Sequence, residues 1–360
     1  MNQRDANWDF IVDKIDEEQC VLVLGPEIYK NPDGQLLSTE MVKYLDIENN
    51  PNITKYYPSE DLFLFDEAGG KTLACHQIKT FYQKEPPTEL LLKLAKIPFN
   101  IIITVTQDLI LPKAFDKLSI PYQFDFYQRH QEPKSIKTPS KSQPLIYNLL
   151  GSIKDEESMV LSHNDMFEYI KSTLSANRMP DKLKLGLQKT RNLILLGLPL
   201  DKWYFQLVLR FLDVRSNNLA MKRYAANQKL EDKVYTFYTE QFKMNFVSDD
   251  FSDFVDNIYS RCEAKGILRE SGDNSGGSVL DRIKNFVADA ELETAIDMLK
   301  EFLEDADEGL YDEIVGLGGK FRRLQRKTRM GTINSEEESV AMAKITESLL
   351  ELVNEAKEFE

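Results

Sequence analysis

Short apolar runs recur along residues 1–269 and predict the strands of a sheet. Each run is followed by Gly, Thr or Ser, and none alternates between apolar and polar positions as a half-exposed strand does. Uninterrupted runs of this kind are typical of parallel strands that helices cover on both faces. The runs are Cys20–Leu24, 100–105, 159–161 and Asn192–Leu196.

Amphipathic stretches lie between these runs, with apolar residues at the spacing of a helix surface. An alternation of strands and helices predicts an α/β fold, here a Rossmann-like, doubly wound parallel sheet over residues 1–269. Ligands of such sheets bind at the carboxyl ends of the strands. The candidate binding positions are therefore four strand ends: Gly25-Pro26-Glu27, Thr106-Gln107-Asp108, Gly151-Ser152 and Gly197. The predicted helices are 5–17, 73–84, 88–96 and 203–212.

Residues 279–360 have a different pattern, which predicts a small all-α helical bundle. Two long stretches carry apolar residues at intervals of three and four, with charged residues on the opposite face. Shorter helices are predicted at 279–287 and 291–304, and Asn334 followed by Glu337 predicts a helix N-cap. The two apolar series are Leu310, Ile314, Leu317, Phe321 and Leu324, and Met342, Ile345, Leu349, Leu352 and Ala356.

Between these two regions, residues 270–278 read ESGDNSGGS and contain no apolar side chain. Gly and Ser in this density are typical of a flexible linker. The sequence therefore predicts three parts: an α/β domain at 1–269, a linker at 270–278 and a helical bundle at 279–360.

The charge balance narrows the classes of partner. The chain has 360 residues, of which 45 are basic and 59 acidic, for a net charge of -14. An acidic chain lacks the basic footprint of a general binder of nucleic acid or anionic membranes. Its apolar runs are shorter than the about 18–20 residues of a membrane helix, and residues 1–10 lack the apolar segment of a signal peptide. We therefore expect a cytoplasmic protein with no membrane segment and no nucleic-acid partner.

The three cysteines indicate neither a metal site nor a disulfide framework. Cys20, Cys75 and Cys262 lie far apart, and the chain has no CxxC pair. A zinc ribbon needs such pairs. We expect no metal, and we interpret the cysteines as small buried apolar residues.

A basic cluster in the bundle is the candidate partner-binding surface. Acidic residues at 301–308 and 336–338 would form the opposite pole, so like bundles could associate head to tail. The alternative is an ordinary solvated helix face. The cluster comprises Lys320, Arg322, Arg323, Arg326, Lys327 and Arg329.

Four motifs at the predicted strand ends, in order, carry a resemblance over about residues 8–270. They are Gly25-Pro26-Glu27, TVTQD at 104–108, LIYNLLGSIKDEESMVLSHND at 145–165 and NLILLGLPLD at 192–201. Together they resemble the sirtuin-like (silent-information-regulator type) NAD-binding domain of bacterial conflict proteins, without the zinc ribbon of the deacetylases. The resemblance implies NAD or an ADP-ribose-like nucleotide as the ligand. The positions it implies for binding are Gly25, Glu27, Thr106, Gln107, Asp108, Gly151, Gly197 and Asp201.

The sequence departs from that family at its catalytic positions. Thr106 stands where the family has an asparagine, and Leu150 stands where it has the histidine base. Leucine cannot accept a proton, so the resemblance implies a catalytically degenerate member. Glu27 stands in the phosphate turn, where a carboxylate repels a pyrophosphate. Other roles remain open, because Gly25 could serve the turn alone and Asp108 could cap the following helix.

The helical tail, with FRRLQRKTRMGTINSEEE at 321–338, resembles the effector-associated domains of bacterial immune systems. The resemblance implies a partner with a similar domain, for example a Toll/interleukin-receptor-type, protease or NTPase effector, and allows a homo-oligomer. The predicted function is a scaffold or nucleotide-sensing subunit of an antiphage signalling system. Two alternatives stay open: a purely structural subunit with a closed pocket, and an active NAD glycohydrolase.

The active alternative needs a base from outside the family's motif. Of the three histidines, His76 and His130 lie in an amphipathic helix and a polar stretch, where structural or solvated histidines are common. His163 follows the predicted strand at 159–161, so it is the candidate base.

Overall fold

Seven parallel strands form one sheet in a computed structural model of the chain, in the order β5-β6-β4-β1-β7-β8-β9. A separate antiparallel hairpin pairs β2 with β3. The strands are β1 Cys20–Leu24, β2 Ile53–Tyr57, β3 Leu62–Phe65, β4 Ile101–Thr104, β5 Gln123–Phe126, β6 Leu145–Asn148, β7 Asn192–Leu196, β8 Lys222–Ala226 and β9 Met244–Ser248.

Helices cover both faces of this sheet, so the predicted doubly wound, Rossmann-like α/β fold is confirmed. One face packs against α1, α4, α5 and α10, and the other against α6, α7, α8 and α9. The helices are α1 Trp8–Asp16, α2 Leu37–Tyr44, α3 Gly70–Lys84, α4 Glu89–Lys96, α5 Ile110–Lys117, α6 His163–Ser175, α7 Asp181–Lys189, α8 Trp203–Ser216, α9 Asp232–Gln241 and α10 Phe251–Ala264.

The structure divides into two compact units, Met1–Ser271 and Gly272–Glu360, which are described separately. Most of the predicted linker, residues 273–278, lies outside the described residues, as do His130 and the side chain of Arg329. The described residues are 7–66, 69–129, 133, 135–175, 179–216, 221–227, 230–248, 250–272, 279–288, 292–303, 306–329, 332 and 334–359.

The central strands are apolar because both of their faces are covered. Every residue of β1, β4, β6 and β7 is buried. Within β1, Leu22 packs into the core on one side of the sheet and Val23 into the core on the other. Successive side chains of a strand point to opposite faces, so a strand covered on both sides is mostly apolar.

The prediction of a strand at 159–161 is wrong. The strand in this part of the sheet is β6, and residues 159–161 form an extended segment after a short 3-10 turn at Glu156–Ser158. The segment donates from Val160 N to the carbonyl of Leu150 and accepts at Leu161 O from Phe63 N. These two partners lie outside the seven-stranded sheet, whereas β6 pairs with β4 and β5 over four residues.

Four helices form the second unit among the described residues, and they bury one shared apolar core. The predicted N-cap is confirmed, because Asn334 Oδ1 accepts a hydrogen bond of 2.8 Å from Glu337 N. Both predicted apolar series pack into this core. The helices are α11 Val279–Ala288, α12 Leu292–Leu303, α13 Glu308–Arg329 and α14 Ser335–Glu355.

Among the described helices, none is both long and apolar enough to cross a membrane.

Gly316→Ala should raise the free energy of unfolding of the bundle by about 1 kcal/mol, the usual cost of glycine inside a helix. A Cβ at Gly316 would meet no atom within 4 Å. Gly318→Ala is the matched control, because its Cβ would lie 3.3 Å from Ile296 Cγ2 and should yield a smaller gain. Chemical denaturation of the three proteins measures the difference, and a loss of stability in Gly316→Ala would contradict the prediction.

Candidate functional site

The sheet reverses its strand order at β1, and this point defines the candidate site. The chain builds β4, β5 and β6 on one side of β1 and then crosses to β7, β8 and β9 on the other. In open α/β sheets, ligands bind in the crevice beyond the carboxyl ends of the strands at such a reversal. The residues that follow β1 and β7, Gly25 and Gly197, therefore lie at the expected place.

Gly25 and Gly197 lie where the turn after β1 and the turn after β7 come into contact, and neither position has room for a side chain. A Cβ at Gly25 would lie 2.0 Å from the carbonyl oxygen of Gly197. Gly197 has a φ of +61°, and its Cβ would lie 2.7 Å from Ile28 Cγ2. The turn continues into a 3-10 helix of three residues, Pro26–Ile28, so no α-helix N-terminus is available there for a phosphate.

Glu27 is a partly buried carboxyl group in this turn. Its backbone N donates to Gly197 O at 3.1 Å. Asn227, directly after β8, donates from Nδ2 to Glu27 Oε2 at 3.4 Å and to Leu198 O at 2.8 Å. Burial raises the pKa of Glu27 to about 7, and the nearby negative charge of Asp201 adds to this rise. Glu27 is therefore a carboxyl group that can gain or lose a proton near neutral pH.

Sequence reasoning missed Asn227, although its place after a strand of the sheet was an available signal. Its side chain is 2% exposed, and its Oδ1 has no hydrogen-bond partner among the described residues. A buried acceptor of this kind normally has a partner. Beside Glu27, it adds a second polar group to the crevice.

Lys202 is a buried cation beside these groups, but other groups already hold it. Its Nζ lies 3.0 Å from Pro58 O, 3.4 Å from Asp61 Oδ2 and 3.5 Å from Asp201 Oδ2. Asp201, which the resemblance implied for binding, is an exposed partner of this cation. The charges around Glu27 thus give little attraction for a diphosphate.

Asp108 caps a helix, which was one of its two open interpretations. Its Oδ1 accepts a hydrogen bond of 2.8 Å from Ile110 N, the first residue of α5. Its side chain is buried, which raises the pKa, while the hydrogen bond from Ile110 N opposes that rise. Asn148 donates to Asp108 O at 2.9 Å and accepts from Thr104 Oγ1 at 2.7 Å. These polar groups satisfy one another within the fold.

Leu150, Gly151 and Gln107 also serve the fold. The Leu150 side chain is 5% exposed and packs in a core of the sheet. Gly151 has a φ of +88°, and a Cβ there would lie 2.1 Å from Ser158 O. Gln107 Nε2 donates to Val160 O at 3.1 Å. None of these contacts requires a ligand.

His163 does not follow a strand, contrary to the sequence interpretation, and it begins α6 instead. Its side chain is 45% exposed and contacts Glu60 through Nε2. Its ring lies edge-on to Tyr57, with the centroids 5.1 Å apart. These partners belong to the β2–β3 hairpin and its turn, and they hold the imidazole on the surface.

Among the described residues, no three His, Cys, Asp or Glu side chains converge as a metal ion needs. The thiols of Cys20, Cys75 and Cys262 are all buried and free. Burial raises the pKa of each thiol, so none is an activated nucleophile.

The residues present fit a dinucleotide poorly. Glu27 occupies the turn where a diphosphate would lie, the turn lacks a helix N-terminus, and Asp108 is buried against α5. A diphosphate meets less repulsion here when Glu27 is protonated.

Comparison with known families supports both resemblances. Residues 100–242 match the family model of a SIR2-like domain, and residues 279–357 match that of effector-associated domain 11. No curated protein matches the chain. The chain thus combines a region similar to SIR2-like domains with a C-terminal region similar to effector-associated domain 11.

Proposed function

We propose that this chain is a catalytically degenerate, sirtuin-like subunit of a bacterial antiphage or immune signalling system. Its α/β unit acts as a scaffold or nucleotide sensor, and its helical bundle recruits or assembles partner proteins. The observation that carries this proposal is Leu150, an apolar core side chain at the position of the family's base.

Three polar residues of the neighbouring segments, Thr106, Asp108 and Asn148, offer no replacement base. The Asp108 carboxyl is buried and bonded to Ile110 N. Asn148 carries an amide and Thr106 an alcohol, and neither group accepts a proton near neutral pH. A general base must be accessible and must accept a proton near the working pH.

NAD hydrolysis by the purified chain should be absent or marginal. Nicotinamide release, measured by chromatography over hours, tests this expectation. Leu150→His with Thr106→Asn restores the family's residue types and should give at most trace turnover. Robust release by the unmodified chain, abolished by Asp108→Ala in a folded protein, would overturn the proposal.

The partner proposed for the bundle is a protein with a similar effector-associated domain, such as a Toll/interleukin-receptor-type, protease or NTPase effector. The support is the family match at 279–357. Proteins with such domains encoded beside this chain can be tested for binding by calorimetry. Failure of all of them to bind would contradict recruitment.

The second candidate function is an active NAD-consuming effector. One observation favours it: Glu27 lies in the crevice with its pKa raised to about 7, so this group, unlike His163 on the surface, can act as a base there. Glu27→Gln in the nicotinamide-release assay tests it. Activity that depends on Glu27 would favour this function over the scaffold.

A further inference from the structure

Charges in the bundle are sorted along its two long helices. Residues 314–327 of α13 include five basic residues and no acidic one, and residues 345–355 of α14 include three acidic residues and no basic one. All eight side chains are exposed. We name them the basic stripe (Lys320, Arg322, Arg323, Arg326 and Lys327) and the acidic stripe (Glu347, Glu351 and Glu355).

Neither stripe is neutralised by another side chain that the structure describes. None of the eight side chains forms an ion pair with another described residue, and the one hydrogen bond from the basic stripe runs from Arg323 Nε to Gly319 O. Like charges stand four residues apart in both stripes, as at Glu347 and Glu351. Each such pair destabilises a helix by about 0.2–0.5 kcal/mol. An opposite charge laid along either stripe would relieve this repulsion.

The two stripes lie at different heights of the bundle. α13 ends at residue 329 and α14 begins at residue 335, so the two helices pack as an antiparallel hairpin. Arg323 is close to the turn of this hairpin, whereas Glu351 is far along α14. At 1.5 Å per residue, the offset along the axis is about 15 Å. The charges of one chain therefore stand apart, and a neighbour displaced along the axis can bring opposite charges together.

The spacing of the stripes also matches. Arg323 and Lys327 are four residues apart, as are Glu347 and Glu351. Four residues of helix correspond to about 6 Å, so two cations of one chain can face two carboxylates of another in register.

We propose that the basic stripe of one chain docks on the acidic stripe of a second copy of this chain. Such a contact uses a different surface on each copy, so it leaves one free stripe at either end. Assemblies of this kind close into rings or grow into filaments. The inference rests on the proposed function in one respect, namely that the bundle is the assembling part of the chain. The sequence suggested acidic poles at 301–308 and 336–338, whereas this docking uses α14. Residues 336–338 lie at the same end of the hairpin as the basic stripe.

Sedimentation velocity of the full chain tests the docking. Assembly is expected at about 50 mM NaCl, with an association constant at least about tenfold lower at about 500 mM, where the Debye length is shorter. A basic-stripe variant, Arg323→Glu with Lys327→Glu, should be monomeric. An acidic-stripe variant, Glu347→Lys with Glu351→Lys, should also be monomeric. Circular dichroism verifies that both remain helical.

An equimolar mixture of the two variants gives the sharpest result. The mixture should assemble, because each variant keeps the stripe that complements its partner's unaltered one. A folding defect cannot produce this recovery. Lys182→Glu with Lys189→Glu, on the exposed surface of α7, makes the same change in net charge as the basic-stripe variant and should assemble like the wild type.

A wild-type chain that stays monomeric at low salt would overturn the docking, and so would a mixture that stays monomeric. Nucleotide binding measured on the same samples separates the two proposals. A monomeric chain that still binds ADP-ribose, or that binds the effector-associated domain of another protein, refutes self-docking and leaves the proposed function standing.

Discussion

Arg269→Ala is expected to lower the free energy of unfolding of the α/β unit by about 3 kcal/mol, since it removes a partly buried charged donor from several carbonyl acceptors. The guanidinium donates at 2.6 Å to the carbonyls of Ala95, Ile97 and Lys141, and it also contacts Phe99 O. Burial lowers the pKa of Arg269. Its removal leaves these carbonyl oxygens buried without their donor.

Arg269→Lys should be intermediate, because an ammonium group keeps the charge but cannot reach all these carbonyls at once. Arg261→Ala is the matched control, since its guanidinium is half-exposed and lies 3.8 Å from Asp9, and it should change stability by less than about 0.5 kcal/mol. Urea denaturation followed by tryptophan fluorescence measures all three variants. Equal effects of Arg269→Ala and Arg261→Ala would refute the structural role of Arg269.

Binding of ADP-ribose is expected to weaken as pH rises through about 7, because Glu27 then becomes charged beside the diphosphate. A repulsion of about 1.4 kcal/mol corresponds to a tenfold loss of affinity. The other charged groups facing Glu27 are Asp201, Asp61, Lys30 and Lys202. Glu27→Gln should bind more tightly at pH above this range and should lose the pH dependence.

Calorimetry across a pH series measures this binding, with Asp201→Asn as a control on the exposed neighbour.

The stability of the folded protein supplies a second readout. The pKa of Glu27 is raised on folding from 4.5 to about 7, so the folded protein loses stability as pH rises through that window. Glu27→Gln should remove this loss. Affinity that is independent of pH, or weaker binding in Glu27→Gln, would mean that Glu27 does not face the ligand.

Structural features that depend only on residues close together in the chain were predictable from the sequence. The apolar runs of β1 and β7 are uninterrupted, and such runs indicate strands that are buried on both faces. The intervals of three and four in α13 and α14 identify a buried helix face in the same way, and Asn334 caps a helix by a bond to a residue three positions away. Each of these signals lies within one turn or one strand.

Strands interrupted by polar side chains were not predictable from the apolar pattern alone, and β6 was expected only from the strand end at Gly151-Ser152. β6 contains Tyr147 and Asn148, and Asn148 is buried because Thr104 and Asp108 bind it from other segments. The run at 159–161 is more apolar than β6, yet it forms no strand. Its place is set by single hydrogen bonds to Leu150 and to Phe63.

The sequence by itself determined the class of the α/β unit and the helical nature of the C-terminal region, since these follow from residue type and local spacing. Only the tertiary structure decided what each site residue does. Glu27 and Asn227 meet across 200 residues of chain, and Arg269 finds its carbonyls more than 100 residues away. The pKa of a group and the partners of its polar atoms depend on burial and on distant segments, which no local pattern records.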